Sequence, residues 1–329
     1  MALISALPNL DAGSYQRSVL HAEDQLWVDK NCYVDVWIEM IHALGLEPRA
    51  VMPFVATMDF EIDQWTFYKP PHDELRDLYG IDVNELNVWQ PLLEHAQEHL
   101  AAGRMISTES DAWWLPDTSG TDYRTNHVKT TITIAQLDVE KKFLGYFHSA
   151  GYFALEGEDF VQTFRLDSPA SKDVLPLFAE AVRVDRLVKR SSAELAELSM
   201  GLWRKHLQRL PTSNPVERYK RRFEQQLSVM QARGLPYYHA WAFATTRQVG
   251  SGFELLARNL QWLEQNGVTG LEVARSAFES IAATAKTFIL KGARAANSKR
   301  PFDGTEIFAE MSTAWQRGME AMRSHPLFS

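Results

Sequence analysis

The sequence predicts an α+β domain over residues 1–170 followed by an all-α helical bundle over residues 171–329. Three observations carry that expectation. Residues 127–137 alternate and are rich in Thr and Ile, residues 138–142 are polar, and residues 143–148 return, which is the pattern of a β-hairpin. From Lys172 onward, apolar residues recur at helical spacing in stretches separated by Pro- and Gly-containing breaks. The charge changes at the same place. Residues 1–171 hold 27 acidic and 11 basic side chains and residues 172–329 hold 15 and 23, so two regions with different surfaces are expected.

Taken in order, the first element is a helix over residues 32–44. Val34, Trp37, Ile38, Ile41 and Leu44 share one face, Asn31 is placed to cap it, and Gly45 and Pro48 end it. Trp65 to Tyr68 reads as extended. Residues 91–102 form a second helix with Pro91 in its first turn and Gly103 beyond its end. Residues 105–109 read as a strand and 113–122 as a loop, ahead of the hairpin. Gly151, Gly157 and Ser168-Pro169 carry loop chemistry. The helices of the second region are expected over 172–190, 193–209, 215–233, 238–265, 269–295 and 304–324.

The composition excludes several classes. With 45% hydrophobic and 23% charged residues the 329-residue chain is long enough to bury a large core. One cysteine, Cys32, rules out an internal disulfide and a Cys-rich zinc site. The N-terminus lacks a secretory pattern and no apolar run approaches the roughly 18–20 residues of a membrane span, so a cytoplasmic protein is expected. A net charge of −8 argues against nucleic acid as a partner. No phosphate loop, G-x-G-x-x-G or G-x-S-x-G motif occurs.

Chemistry points first to Cys32, because unpaired N–H groups and the dipole at a helix start favour a thiolate. His127 opens the hairpin strand 95 residues later. A helix-initial cysteine followed by a strand-initial histidine is the order of the papain-like fold, with the histidine as base within hydrogen-bond reach of the sulfur. Papain-like enzymes orient that base with an Asn or Asp on the next strand, and here His148 and Ser149 fall nearest that place. Asp111, Asp138 and Glu158 are the carboxylates in neighbouring loops, and the sequence does not choose among them. Gln25, seven residues before Cys32, stands at the spacing of an oxyanion-hole donor. Trp65, Phe67, Trp113 and Trp114, with Asp111, are candidates to line a substrate pocket. His95-Ala96-Gln97-Glu98-His99 matches the H-x-x-E-H string, but Leu92, Leu93, Ala96 and Leu100 give its helix an ordinary amphipathic reading and no third ligand is identified, so no metal is expected.

Six strings together, Asn31-Cys32-Tyr33-Val34-Asp35, Asp63-Gln64-Trp65-Thr66-Phe67, Leu78-Tyr79-Gly80-Ile81, Leu115-Pro116-Asp117-Thr118, His127-Val128-Lys129 and Gly145-Tyr146-Phe147-His148, resemble a bacterial family, domain-of-unknown-function family 1839, encoded near amino acid:carrier-protein ligases. The N-terminal part is similar to the papain-like domain of butirosin biosynthesis protein H, which moves an aminoacyl group from a carrier-protein thioester to an amine. The resemblance spans about residues 31–160. It implies a Cys–His acyltransferase with Cys32 as nucleophile and His127 as base, an acidic carrier protein as donor, a small amine as acceptor, and no cofactor beyond the donor's 4′-phosphopantetheine. A cysteine amidase or peptidase and a non-catalytic carrier-protein-binding module are the other expectations. An acidic donor is expected to dock on basic helical segments at residues 183–190 and 218–222.

Overall fold

The computed structural model describes residues 3–167, 177–298 and 302–328. Its elements run β1 (Ile4–Ser5), α1 (Cys32–Ala43), β2 (Phe60–Glu61), β3 (Gln64–Trp65), α2 (His72–Tyr79), β4 (Asp82–Glu85), α3 (Leu92–Ala101), β5 (Arg104–Asp111) and β6 (Lys129–Asp138). They continue with β7 (Phe143–His148), β8 (Gly151–Glu156), α4 (Glu158–Thr163), β9 (Ala179–Arg183), α5 (Ser192–Leu207), α6 (Pro215–Arg233) and α7 (Leu235–Ala242). A π-helical turn at Phe243–Arg247 leads into α8 (Gln248–Gln265), followed by α9 (Glu272–Ser298) and α10 (Thr305–Arg323). The chain is mixed α/β, with a sheet-rich N-terminal region and a helical C-terminal part. Among the described residues no helix is long and apolar enough to cross a membrane.

Two compact units divide the chain. The sheet unit comprises Met1–Val19, Cys32–Pro48 and His72–Lys189, and the helical unit comprises Leu20–Asn31, Arg49–Pro71 and Arg190–Ser329. In the sheet unit an antiparallel sheet runs β4-β9-β5-β6-β7-β8, with β1 added to β6. Helix α1 packs on β6, β7 and β8. It is buried almost all round, from Tyr33 to Ile41, which a helix can be only if its polar groups are satisfied. Glu39, fully buried, accepts from the Tyr15 hydroxyl at 2.6 Å and the Ser18 N–H at 3.0 Å. On the opposite face, α3 packs over β5 and β6, its Ala96 and Leu100 joining Ile106, Ile132, Ile134 and Tyr146 in one core.

Helices α1 and α3 and the β6–β7 hairpin fall where hydrophobic period and turn residues predict them. The helix expected over 172–190 does not. Residues 172–176 lie outside the described residues, and residues 179–183 form β9, paired antiparallel with both β4 and β5. Ala179-Glu180-Ala181 is helix-favouring locally, but the two neighbouring strands offer β9 a full ladder on both edges, and tertiary pairing overrides propensity. Gly151, read as loop chemistry, instead opens β8.

Gly145 on β7 marks a close approach. A Cβ there would stand 2.0 Å from the Tyr152 hydroxyl, which donates to Gln136 Oε1 at 2.8 Å. Gly145→Ala is expected to cost about 1–3 kcal/mol through overpacking, read as a lower urea midpoint with unchanged slope. A neutral substitution would show that Tyr152 can swing away freely.

In the helical unit, α8, α9 and α10 pack together around Phe253, Phe278, Ile281 and Met319. Lys30, only 1% exposed, donates to the carbonyls of Leu20, Trp27 and Val28 and lies 3.7 Å from Glu254, whose carboxylate in turn accepts from the Leu26 and Trp27 N–H groups. This buried ion pair ties the segment 20–31 to α8.

Candidate functional site

Cys32 opens α1 and is partly exposed. Its Sγ lies 4.0 Å from Thr131 Oγ1 on β6. That contact identifies which face of the sheet the cysteine sees. Thr131 is in register with Glu109 of β5, and Lys129 with Asp111. Side chains alternate along a strand, so Thr131, Lys129, Glu109 and Asp111 share the α1 face. The 3.1 Å ion pair between Lys129 and Glu109 lies on it.

Asp111 holds His127. Its Oδ2 stands 2.6 Å from His127 Nδ1, while Oδ1 accepts from the Trp113 N–H at 3.1 Å and so caps the short helical turn Ala112–Trp114. The Trp113 ring stacks on the imidazole at 4.4 Å and 9°. Carboxylate and indole therefore fix a histidine whose side chain is 66% exposed. A proton on Nδ1, facing the carboxylate, leaves Nε2 as the basic nitrogen. Nε2 has no partner among the described residues. Asp111 lies one pleat beyond Glu109, about 6–7 Å along the strand. The hydrogen bond expected between His127 and Cys32 is not made, because the sulfur turns to Thr131 while the imidazole turns to Asp111.

A second polar group on the α1 face was not legible beforehand. Tyr33 donates to Glu180 Oε2 on β9 at 3.0 Å, and His72 Nε2 lies 3.0 Å from the same phenolic oxygen. Burial and then the Glu180 carboxylate push the Tyr33 phenol well above its ordinary value, so it stays a donor. Glu180 pairs in register with Ser107, which places it on the same face as Thr131. With residues 172–190 read as helix, no sequence signal connects Glu180 to Tyr33.

The structure moves His148 away from the proposed triad. Ile132 is its register partner, and Ile132 faces opposite to Thr131, so His148 projects from the face that α1 does not cover. There, buried, it has Nδ1 2.5 Å from Asp117 Oδ2 and Nε2 2.8 Å from Thr130 Oγ1. Tyr146 donates to the other Asp117 oxygen. Trp114 lies over the Arg124 guanidinium at 4.4 Å, and Arg124 and Tyr123 both bind Asp159 of α4. These contacts anchor the loop that carries Trp113 and leads into His127.

Gln25, Trp65 and Phe67 belong to the helical unit. Gln25 Oε1 accepts from Arg258 Nε at 2.8 Å, and its amide NH₂ donates to Asp24 at 3.3 Å. Trp65 is fully buried against Phe60 and Tyr219 and offers no face to a substrate. Phe67 is 41% exposed and lines a cavity of about 300 Å³ with Tyr68, Lys69 and Arg209. Asp138 accepts from the Lys141 N–H at 3.1 Å in the turn between β6 and β7, and the exposed Gln162 side chain donates to Glu158. Of the three carboxylates left open as the orienting group, Asp111 alone meets the imidazole of His127.

His95 and His99 on α3 have ring centres 6.3 Å apart, and burial, before the nearby Arg104 and His95 charges, lowers the His99 pKa. Among the described residues no group of three or more His, Cys, Asp or Glu side chains is arranged to hold a metal ion.

No curated protein matches the chain. Residues 16–184 match the DUF1839 N-terminal domain and residues 192–324 match the DUF1839 C-terminal domain. The first match ends just after β9, so the last strand of the sheet falls inside it, and the second begins with α5. The two matches follow one another along the chain with seven residues between them, and the chain belongs to the DUF1839 family.

Proposed function

We propose that the protein is a cysteine-dependent acyltransferase with a papain-like arrangement, taking an acyl or aminoacyl group from a carrier-protein thioester to an amine. The observation that carries this reading is the Asp111–His127 pair, with its unpartnered Nε2, on the sheet face that Cys32 also meets. A helix-initial cysteine, a histidine leading into the adjacent strand and an orienting carboxylate make up the parts list of thiol acyl transfer.

In the first step His127 Nε2 takes the Cys32 proton, directly or through one water, and Sγ attacks the thioester carbonyl. The tetrahedral oxygen's charge falls near the positive end of α1. Collapse releases the pantetheine thiol, which takes the proton from His127, and leaves acyl-Cys32. The amine then attacks this thioester, His127 accepts its proton, and the Cys32 thiol is restored as the amide leaves. Exchange of one thioester for another is close to balanced, so the requirement is mainly for orientation. The step requires that Cys32 leave its Thr131 contact and come within reach of His127 Nε2.

The test is intact mass after incubation with an aminoacyl carrier protein. The expected result is a protein heavier by the acyl group, lost in Cys32→Ser and discharged by an added amine. Discharge that is equally fast without amine would make the protein a hydrolase. Absence of any adduct, with the carrier protein still bound, would leave only a binding module.

A further inference from the structure

Helix α6 carries five consecutive residues, Arg218-Tyr219-Lys220-Arg221-Arg222, in the segment where the sequence leads to the expectation of an acidic donor. Within the helical unit they do three different things. Arg218 is spent on structure: it bonds Asp59, Ser213 and, at 3.3 Å, the Phe60 carbonyl. Tyr219 is fully buried. Arg221 and Arg222, by contrast, have no hydrogen-bond or ion-pair partner among the described residues, and the Arg222 Nε is buried from solvent without an acceptor.

Both arginines line a depression of about 190 Å³, together with Phe60, Ile62, Arg218 and Gln225. No carboxylate lines it. Ile62 forms one lip, at the tip of the β2–β3 hairpin, with φ +52° and 90% of its surface exposed. A β-branched residue in the left-handed region is strained, and an exposed one gains nothing in return from the free protein. Two arginines without a protein partner among the described residues and a strained apolar lip therefore meet in one place.

The geometry points to a binding site for a phosphate group, in which the Arg221 and Arg222 guanidinium groups that line the depression take the phosphate oxygens and Ile62 covers whatever the phosphate is attached to. Planar guanidinium edges match phosphate in a two-point fashion, and a lysine ammonium does not. None of its residues belongs to the sheet unit, which holds Cys32 and His127. Phosphate of this kind comes either as an ester, such as the arm of a carrier protein, or as the free ion.

The full-length protein is titrated calorimetrically with inorganic phosphate, 4′-phosphopantetheine and pantetheine. The expected result is that 4′-phosphopantetheine binds, pantetheine does not, and Arg222→Lys weakens binding about tenfold or more despite keeping the charge. Tighter binding of 4′-phosphopantetheine than of phosphate, reduced by Ile62→Gly, identifies the ester as the ligand, and equal affinities identify the free ion. Failure of both phosphates to bind, pantetheine binding as tightly as its phosphate, or binding unchanged in Arg222→Gln would overturn the site. Thermal melting of each variant checks the fold, and Cys32 acylation is read separately by mass, so failure here is distinct from failure of the transferase reading.

Discussion

Asp111→Asn is expected to slow acylation of Cys32 by about 10³–10⁴-fold while leaving the protein folded. The carboxylate does two jobs, accepting from the Trp113 N–H through Oδ1 and from His127 through Oδ2. An asparagine keeps the first oxygen and replaces the second by an NH₂ group. The cap on the helical turn therefore survives, and stability changes little. The imidazole, now facing a donor, must present the lone pair of Nδ1 and carry its proton on Nε2. That tautomer cannot accept a proton from the thiol. Single-turnover acylation by an aminoacyl carrier protein, followed by mass, measures the effect. An Asp111→Asn protein that acylates at the rate of the parent would remove His127 as the base and direct attention to His72, which meets Tyr33 beside Glu180.

The second large effect is on stability and lies on the opposite face. His148→Phe is expected to cost about 3–5 kcal/mol in urea unfolding, because it leaves the Asp117 carboxylate, 4% exposed, facing an apolar ring with Tyr146 as its remaining side-chain donor. Adding Asp117→Asn to that variant should recover part of the loss. The amide keeps an acceptor for Tyr146 and removes a buried charge that has lost its His148 hydrogen bond. Losses that simply add in the double variant would mean that the two residues are uncoupled. Since Asp117 sits in the loop between Trp113 and His127, partial loosening of that loop should also slow acylation, although neither residue touches the proposed reactants.

The two variants separate the functions of two histidines that look alike on paper. His127 and His148 both bind an aspartate through Nδ1, and they stand at the two ends of the same hairpin. Placement of one among the proposed reactants and the other in the core follows from strand parity, which a shift of one residue would reverse. Reading the hairpin from its turn locates its strands correctly, but it does not say which face a helix covers.

Local pattern alone determined a good deal here. The apolar period of α1, with Cys32 at its first position, the Pro91 and Gly103 boundaries of α3, the β6–β7 hairpin and α5, α6, α9 and α10 all follow from residues close to one another in the chain. Tertiary structure decided the rest. Strand β9 exists because β4 and β5 offer it hydrogen-bonding edges that its own residues do not specify. Trp65 became core because residues 49–71 pack with the helical unit, far from their neighbours in sequence. Asp111 found His127 only when β5 and β6 came into register. Helical period and turn chemistry are local and survive in a string of letters, whereas strand register, sheet face and unit membership are set by long-range contacts whose energy appears only once the chain has closed on itself.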